Sequence, residues 1–272
     1  MNLTFSTIAC MDWEYEKIFK TAKSLGMDTI EFRVLKDFRE FLVDGRAEAL
    51  AGLSQEYNIS ILDIAASFLL NGYDAQQLEG FEEICKIAFK LKAKGIRVFL
   101  GNFLTCKTDK GAETDYNGLV KMLKELSNIA AEYQTGIWIE THNEFSTGKI
   151  LRKLLDDVNK ENVKIIWDIM HPYEEHESYQ DTYGYLGEKI AHIHIKDGLR
   201  QQDENLIDFL YTKLGEGELP VAEIVRYCEN LGYSGYYSLE WEPMWKKELE
   251  GYDTAEIFNH YADFMNSIAN DL

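Results

Sequence analysis

The sequence predicts an α/β fold, a single (β/α)8 barrel formed by the whole chain, on three observations. Short apolar runs rich in Ile, Val, Phe and Trp recur at intervals of about 25 to 40 residues. Each run is followed by a segment with helical periodicity. The runs are nearly continuous in apolar character, as expected of strands covered on both faces. The chain has 272 residues, of which 46% are hydrophobic and only three are proline, and no Pro/Gly/Ser-rich linker divides it. One domain of about 250 residues is ordinary for such a barrel.

In order, the eight strands are expected at 3–9, 29–33, 60–65, 97–101, 137–141, 164–168, 191–196 and 236–240. Helices are expected at 14–25, 46–57, 79–94, 115–134, 147–159, 220–231 and 254–269. Gly26, Gly95, Gly136 and Gly232 stand where helices should stop, each offering a left-handed residue just past a helix end. The stretch 173–186, polar and aromatic by turns, is expected as a short helix or a loop over the mouth. An open doubly wound sheet is the competing architecture, but no Gly-x-Gly-x-x-Gly follows the first strand. Leu214-Gly215-Glu216-Gly217-Glu218 comes too late and is too acidic to cradle a pyrophosphate.

The formal charge of −19, from 28 Lys plus Arg against 47 Asp plus Glu, opposes any phosphate backbone, so no nucleic-acid partner is expected. The first residues lack a basic region followed by an apolar core, and no window approaches the length of a membrane span, so a cytoplasmic protein with no membrane partner is expected. Cys10, Cys85, Cys106 and Cys228 are scattered with no Cys-x-x-Cys pair, which fits small half-buried thiols better than a zinc knuckle or redox dithiol.

Barrel enzymes collect their chemistry at the C-terminal ends of strands. Four consecutive runs end in acid or imidazole: Ile137-Trp138-Ile139-Glu140, Ile165-Ile166-Trp167-Asp168, His192-Ile193-His194 and Ser238-Leu239-Glu240. Charged groups there are expensive to desolvate unless they are paired or bound to metal. Three carboxylates in one cavity repel one another unless a cation lies among them. Glu140, Asp168, His194 and Glu240 are therefore the expected ligands of a divalent metal. An oxygen-rich set with one imidazole suits Mn²⁺, Mg²⁺ or Co²⁺ somewhat better than a structural zinc site. His194, nearer the strand end, is given the inward role and His192 is assigned to the helix layer. Lys196 shares the face of His194 and is a candidate substrate contact. Phe68, Phe103, Trp241 and Trp245 are candidate aromatics at the mouth, with Phe5 and Trp13 on the side of the first strand.

Over essentially its whole length the chain resembles the xylose isomerase-like TIM barrels, a family that includes sugar (phosphate) isomerases and epimerases, inosose and dehydroshikimate dehydratases, and an endonuclease branch. The marks that carry the resemblance are Glu140, Asp168-Ile169-Met170-His171, His194-Ile195-Lys196-Asp197, Gly215-Glu216-Gly217 and Glu240. The resemblance implies a metal-dependent isomerase or epimerase in which Glu140 and Glu240 both bind the metal and exchange protons with opposite faces of a small sugar-like substrate. The metal, which includes Zn²⁺ among its candidates, would stabilise an enediolate. It further implies substrate contacts from His171 and from Arg200, six residues beyond His194. Barrels of this type often associate, which allows a homodimer or homotetramer, although no interface patch is legible.

One departure is informative. Epimerases of this family carry a second glutamate six residues after the strand-five ligand, where this chain has Ser146. Glu140-Thr141-His142 is instead similar to the dehydroshikimate dehydratase version of that strand, which makes a dehydratase using His142 as base the rival expectation. A sugar-binding barrel without turnover is a third, against which the intact four-ligand set argues. The endonuclease branch needs further histidines, and none precedes position 142.

Overall fold

The computed structural model of the chain describes residues 1–34, 37–203, 205–207 and 209–270. Eight parallel strands form one sheet: β1 (Asn2–Phe5), β2 (Thr29–Arg33), β3 (Ser60–Leu70), β4 (Gly95–Leu100), β5 (Gly136–Glu140), β6 (Val163–Asp168), β7 (Ile190–Ile195) and β10 (Tyr236–Leu239). Between β7 and β10 an antiparallel hairpin, β8 (Asp197–Arg200) with β9 (Phe209–Thr212), is inserted. The sheet runs β1-β10-β7-β6-β5-β4-β3-β2, and its two ends meet through a parallel bridge from Ser6 to Glu31 and a hydrogen bond from Thr4 Oγ1 to the Thr29 carbonyl (2.8 Å). The predicted barrel therefore closes.

The helices are α1 (Tyr15–Ser24), α2 (Phe38–Val43), α3 (Arg46–Tyr57), α4 (Gln76–Leu91), α5 (Tyr116–Glu132), α6 (Gly148–Val158), α7 (Met170–Glu174), α8 (Tyr179–Leu186), α9 (Val221–Asn230) and α10 (Thr254–Asn270). Their apolar stripes pack on the outside of the barrel, as α6 does by burying Leu151, Leu154, Leu155 and Val158. Among the described residues no helix is long and apolar enough to cross a membrane. The stretch 173–186 resolves into the end of α7 and into α8, where Ser178 caps the N-terminus by accepting from the Asp181 amide.

Several expected boundaries move for physical reasons. β1 ends at Phe5, and Thr7–Cys10 form a 3-10 turn capped by Ser6. β3 runs on to Leu70 with a register shift between Ile64 and Phe68. Gly26 and Gly232 do take the left-handed conformation expected of them, but after α4 and α5 that position falls to Lys92 and Gln134. Gly95 and Gly136 instead open their strands. A Cβ on Gly95 would lie 2.1 Å from the Trp138 ring, so this glycine makes room for the indole on the barrel floor. There Trp138 packs with Leu62 and Ile166, apart from the main core between sheet and helices.

Asp197, at the start of the inserted hairpin, explains the later Gly-Glu-Gly. Its carboxylate accepts from the backbone amides of Gly198 (2.8 Å), Gly215 (2.9 Å), Gly217 (3.1 Å) and Leu219 (3.2 Å). A Cβ on Gly217 would sit 2.0 Å from Asp197 Oδ1, so the turn can close on this carboxylate only with glycine there. The hairpin is thereby tied beside the end of β7.

Candidate active site

Above the apolar floor the barrel interior is polar. Thr4, Ser6, Glu31, Asp63, Arg97, His192, His194 and Ser238 are all buried inside it, and Glu140, Asp168 and Glu240 stand at the ends of their strands, also buried. Ligand atoms of Glu140, Asp168, His194 and Glu240 all lie within 4.8 Å of one another. The register accounts for part of this convergence: Asp168 pairs with His194, and His194 with Ser238, two residues before Glu240. All four predicted ligands are thus brought together.

Two cations reach the same place. Arg97 Nη1 lies 2.8 Å from Glu140 Oε2 and 3.0 Å from Glu240 Oε1. Lys196 Nζ lies 2.5 Å from Asp168 Oδ2 and 2.7 Å from Glu240 Oε2, and donates to Tyr211 Oη at 3.0 Å. His194 Nδ1 is 3.2 Å from Glu240 Oε2 and its Nε2 is 2.9 Å from Glu31 Oε2. Burial nevertheless dominates at two of the acids. Burial, only partly offset by Arg97, pushes Glu140 up to about 8, and burial against Lys196 leaves Asp168 at about 7. For Glu240 burial acts upward too, but His194, Lys196 and Arg97 outweigh it and hold the carboxyl well below its ordinary range. His194 is driven well above its ordinary value, because Glu240 and Glu31 overcome its burial.

The donor set fits a divalent ion. Asp168 Oδ2 and Glu240 Oε2 converge on Lys196 Nζ, and Glu240 Oε2 also faces His194 Nδ1 at 3.2 Å, so buried carboxylate oxygens and a ring nitrogen are gathered in the combination a divalent ion takes. Three carboxylates and one imidazole are within the repertoire of Mn²⁺, Mg²⁺, Co²⁺ and Zn²⁺. Among the described residues two further groups have ligand atoms within the same spacing: Glu140 with His142 and His171, and Glu31 with His192 and His194.

The predicted substrate contacts divide. His142 and His171 lie ring to ring, 4.3 Å between centroids, and line a cavity of about 310 Å³ with Leu104, Ser146, Thr147 and Glu174. His171 Nε2 is 3.5 Å from Asp168 Oδ2, and burial together with His142 holds the ring well below its ordinary pKa, hence neutral. Lys196 is buried among the ligands. Arg200 lies on the inserted hairpin, pairing with Glu218 (3.5 Å) and lying over the Phe209 ring, beside a different hollow shared with Lys107 and His176. Trp241 is buried against Tyr252, Phe5 stacks on Phe258 in the core, and Phe68 packs on Phe81. Phe103 and Trp245 are about half exposed, Phe103 with its edge on His142. Trp13 lines a separate hollow with Tyr15 and Arg33.

One expectation is corrected. His192 does not pack against the helix layer; it is fully buried in the interior, its Nε2 3.3 Å from Glu31 Oε2 and its ring against Trp138. Side chains alternate with a period of two, so positions 192 and 194 must share a face. Glu31, Asp63 and Arg97 went unassigned in the sequence. The available signal was a charged residue embedded in an otherwise apolar strand, as in Ile96-Arg97-Val98 and Ile30-Glu31-Phe32.

The class that this fold and site define is a closed parallel barrel with an acid- and imidazole-lined mouth. The chain belongs to the family described as xylose isomerase-like TIM barrel, whose profile matches residues 19–266. Among curated proteins it is 26% identical over 251 residues to the fructoselysine 3-epimerase of Escherichia coli O157:H7, covering 86% of this chain and 87% of that one. It is also 26% identical over 233 residues to the inosose isomerase of Bacillus licheniformis, covering 79% of each. Among solved structures it superposes on the IolI protein, described as having a bound zinc atom, with a TM-score of 0.81 at 20% identity over 100% of this chain and 99% of that one.

Proposed function

We propose that the protein is a divalent-metal-dependent isomerase or epimerase acting on a sugar, sugar phosphate or related polyhydroxylated carbonyl compound. The observation that carries this is the convergence of four buried donors from β5, β6, β7 and the end of β10, whose ligand atoms all lie within 4.8 Å of one another. The matched relatives named as an epimerase and an isomerase agree with it. A small sugar-like molecule is the partner, and the net charge of −19 speaks against nucleic acid.

When bound, the ion would supply charge that polarises a substrate carbonyl and lowers the cost of negative charge on its oxygen. Glu140, Asp168, His194 and Glu240 would hold it. Glu140 and Glu240, bridged by Arg97, would take a proton from the carbon beside the carbonyl and return one to the opposite face through an enediolate. Lys196 lies where it can donate to a substrate oxygen or relax the repulsion between Asp168 and Glu240. His171, kept neutral by burial, can donate one hydrogen bond and accept another. Incubating the Mn²⁺-loaded protein with a panel of ketoses in D₂O should give deuterium at the carbon next to the carbonyl. No incorporation with any of them would count against the proposal.

A metal-dependent dehydratase is the second reading, favoured by one observation: His142 stands over His171 at the cavity, close to Glu140, as a base should. It requires an ultraviolet-absorbing enone product that disappears in His142→Ala.

A further inference from the structure

The two ring nitrogens of His194 face different carboxylates. Nδ1 lies among the strand-end acids, 3.2 Å from Glu240 Oε2 and 3.9 Å from Glu140 Oε2. Nε2 points toward β2, where Glu31 Oε2 waits at 2.9 Å. Glu31 is itself fixed: it is fully buried, its Oε1 accepts from Ser6 Oγ (2.9 Å) and its Oε2 from Ser238 Oγ (2.9 Å).

We infer that Glu31 is a positioning residue of the site, which accepts the Nε2 proton of His194 and so leaves Nδ1 as the lone-pair nitrogen turned toward Glu140 and Glu240. The inference rests on the metal reading above. An imidazole that ligates a metal is neutral and carries one proton; with an ion among Glu140 and Glu240, the nitrogen left to keep that proton is the one facing Glu31. A carboxylate accepts only, so Glu31 can enforce this tautomer, and the two serine hydroxyls prevent it from turning away. A carboxylate behind a metal-binding histidine also raises the basicity of the ligating nitrogen. Glutamine of the same shape could present its amide N–H to Nε2 and push the proton onto Nδ1, where it would block coordination.

The test combines calorimetric titration of Mn²⁺ and Zn²⁺ into chelator-treated protein with ¹⁵N-histidine NMR of the Zn²⁺-loaded protein. The wild type should bind one equivalent, with the His194 ring protonated at Nε2 and its Nδ1 shifted by the metal. Glu31→Gln should bind about 10- to 100-fold more weakly, and Ser238→Ala, a milder change, should weaken binding less while keeping the fold. The wild-type spectrum decides even if Glu31→Gln fails to fold. Metal on Nε2 with the proton on Nδ1 would overturn the inference. So would unchanged affinity in folded Glu31→Gln. A second equivalent held by Glu31, His192 and His194, lost in that variant, would overturn it too, by making Glu31 a ligand. No metal binding by the wild type would sink the metal reading and this inference with it, whereas normal wild-type binding with an indifferent Glu31 sinks the inference alone.

Discussion

Lys196 Nζ lies 2.5 Å from Asp168 Oδ2, so a lysine of the chain already occupies part of the space between carboxylates that a metal would neutralise. Its charge is stabilised there because Asp168 and Glu240 outweigh the cost of burial and raise its pKa well above the ordinary value. In Lys196→Met the metal-free protein keeps the acids and loses the cation shared by Asp168 and Glu240, with Arg97 and His194 still beside Glu240. Breaking a buried pair costs about 3–5 kcal/mol. Denaturant unfolding of the metal-free variant should show a loss of that order, and metal should restore more stability to the variant than it adds to the wild type.

Stability of the metal-free protein should fall as pH rises toward 8. Burial lifts Glu140 to about 8 and Asp168 to about 7, so the folded state retains protons that the unfolded chain has released above roughly pH 4–5. Wherever the native state binds more protons, stability decreases with pH, and here that window extends to the raised values. Glu240 and Glu31, held low, act oppositely only near and below the ordinary carboxylate range; His171 and His192, held low, oppose the fall below about pH 6.5, and His194, held high, adds to it above. Thermal melts of chelator-treated protein should therefore slope downward between about pH 6.5 and 8, and saturating Mn²⁺ should flatten the slope; a metal-free profile rising over that window would contradict this assignment.

Glu240→Gln keeps the shape of the side chain, removes its proton-transfer capacity and weakens it as a metal donor, so exchange is compared at saturating Mn²⁺. A positioned acid or base contributes about 10²- to 10⁴-fold to rate, so solvent-deuterium exchange into a reactive substrate should slow by that factor. A variant exchanging at the wild-type rate would remove Glu240 from the reaction.

Asp197→Ala would leave the amides of Gly198, Gly215, Gly217 and Leu219 without their shared acceptor. Each unsatisfied buried donor costs about 1–3 kcal/mol, less where water can replace the carboxylate. A destabilisation of several kcal/mol is expected, with faster amide hydrogen exchange across 197–219.

The barrel was legible because its strands are short, nearly continuous apolar runs separated by amphipathic helices, a pattern that few architectures share. The four strand-end donors were legible for a related reason: Glu140, Asp168, His194 and Glu240 each break off an apolar run at the point where a barrel opens. Glu31 and Arg97 were not, because a charged residue in mid-strand has no meaning until closure of the barrel supplies its partners from strands far away in sequence. The hairpin Asp197–Arg200 with Phe209–Thr212 was missed because its strands have four residues each and are held by Asp197 accepting from a turn eighteen to twenty-two residues later, not by a hydrophobic pattern.

Calorimetric titration of chelator-treated protein with Mn²⁺, run beside Asp168→Asn, tests the central proposition most directly. The wild type should bind one equivalent, with a rise in melting temperature, and the variant should bind little or none. Identical melting of stripped and ion-loaded wild type, with no heat of binding, would contradict it.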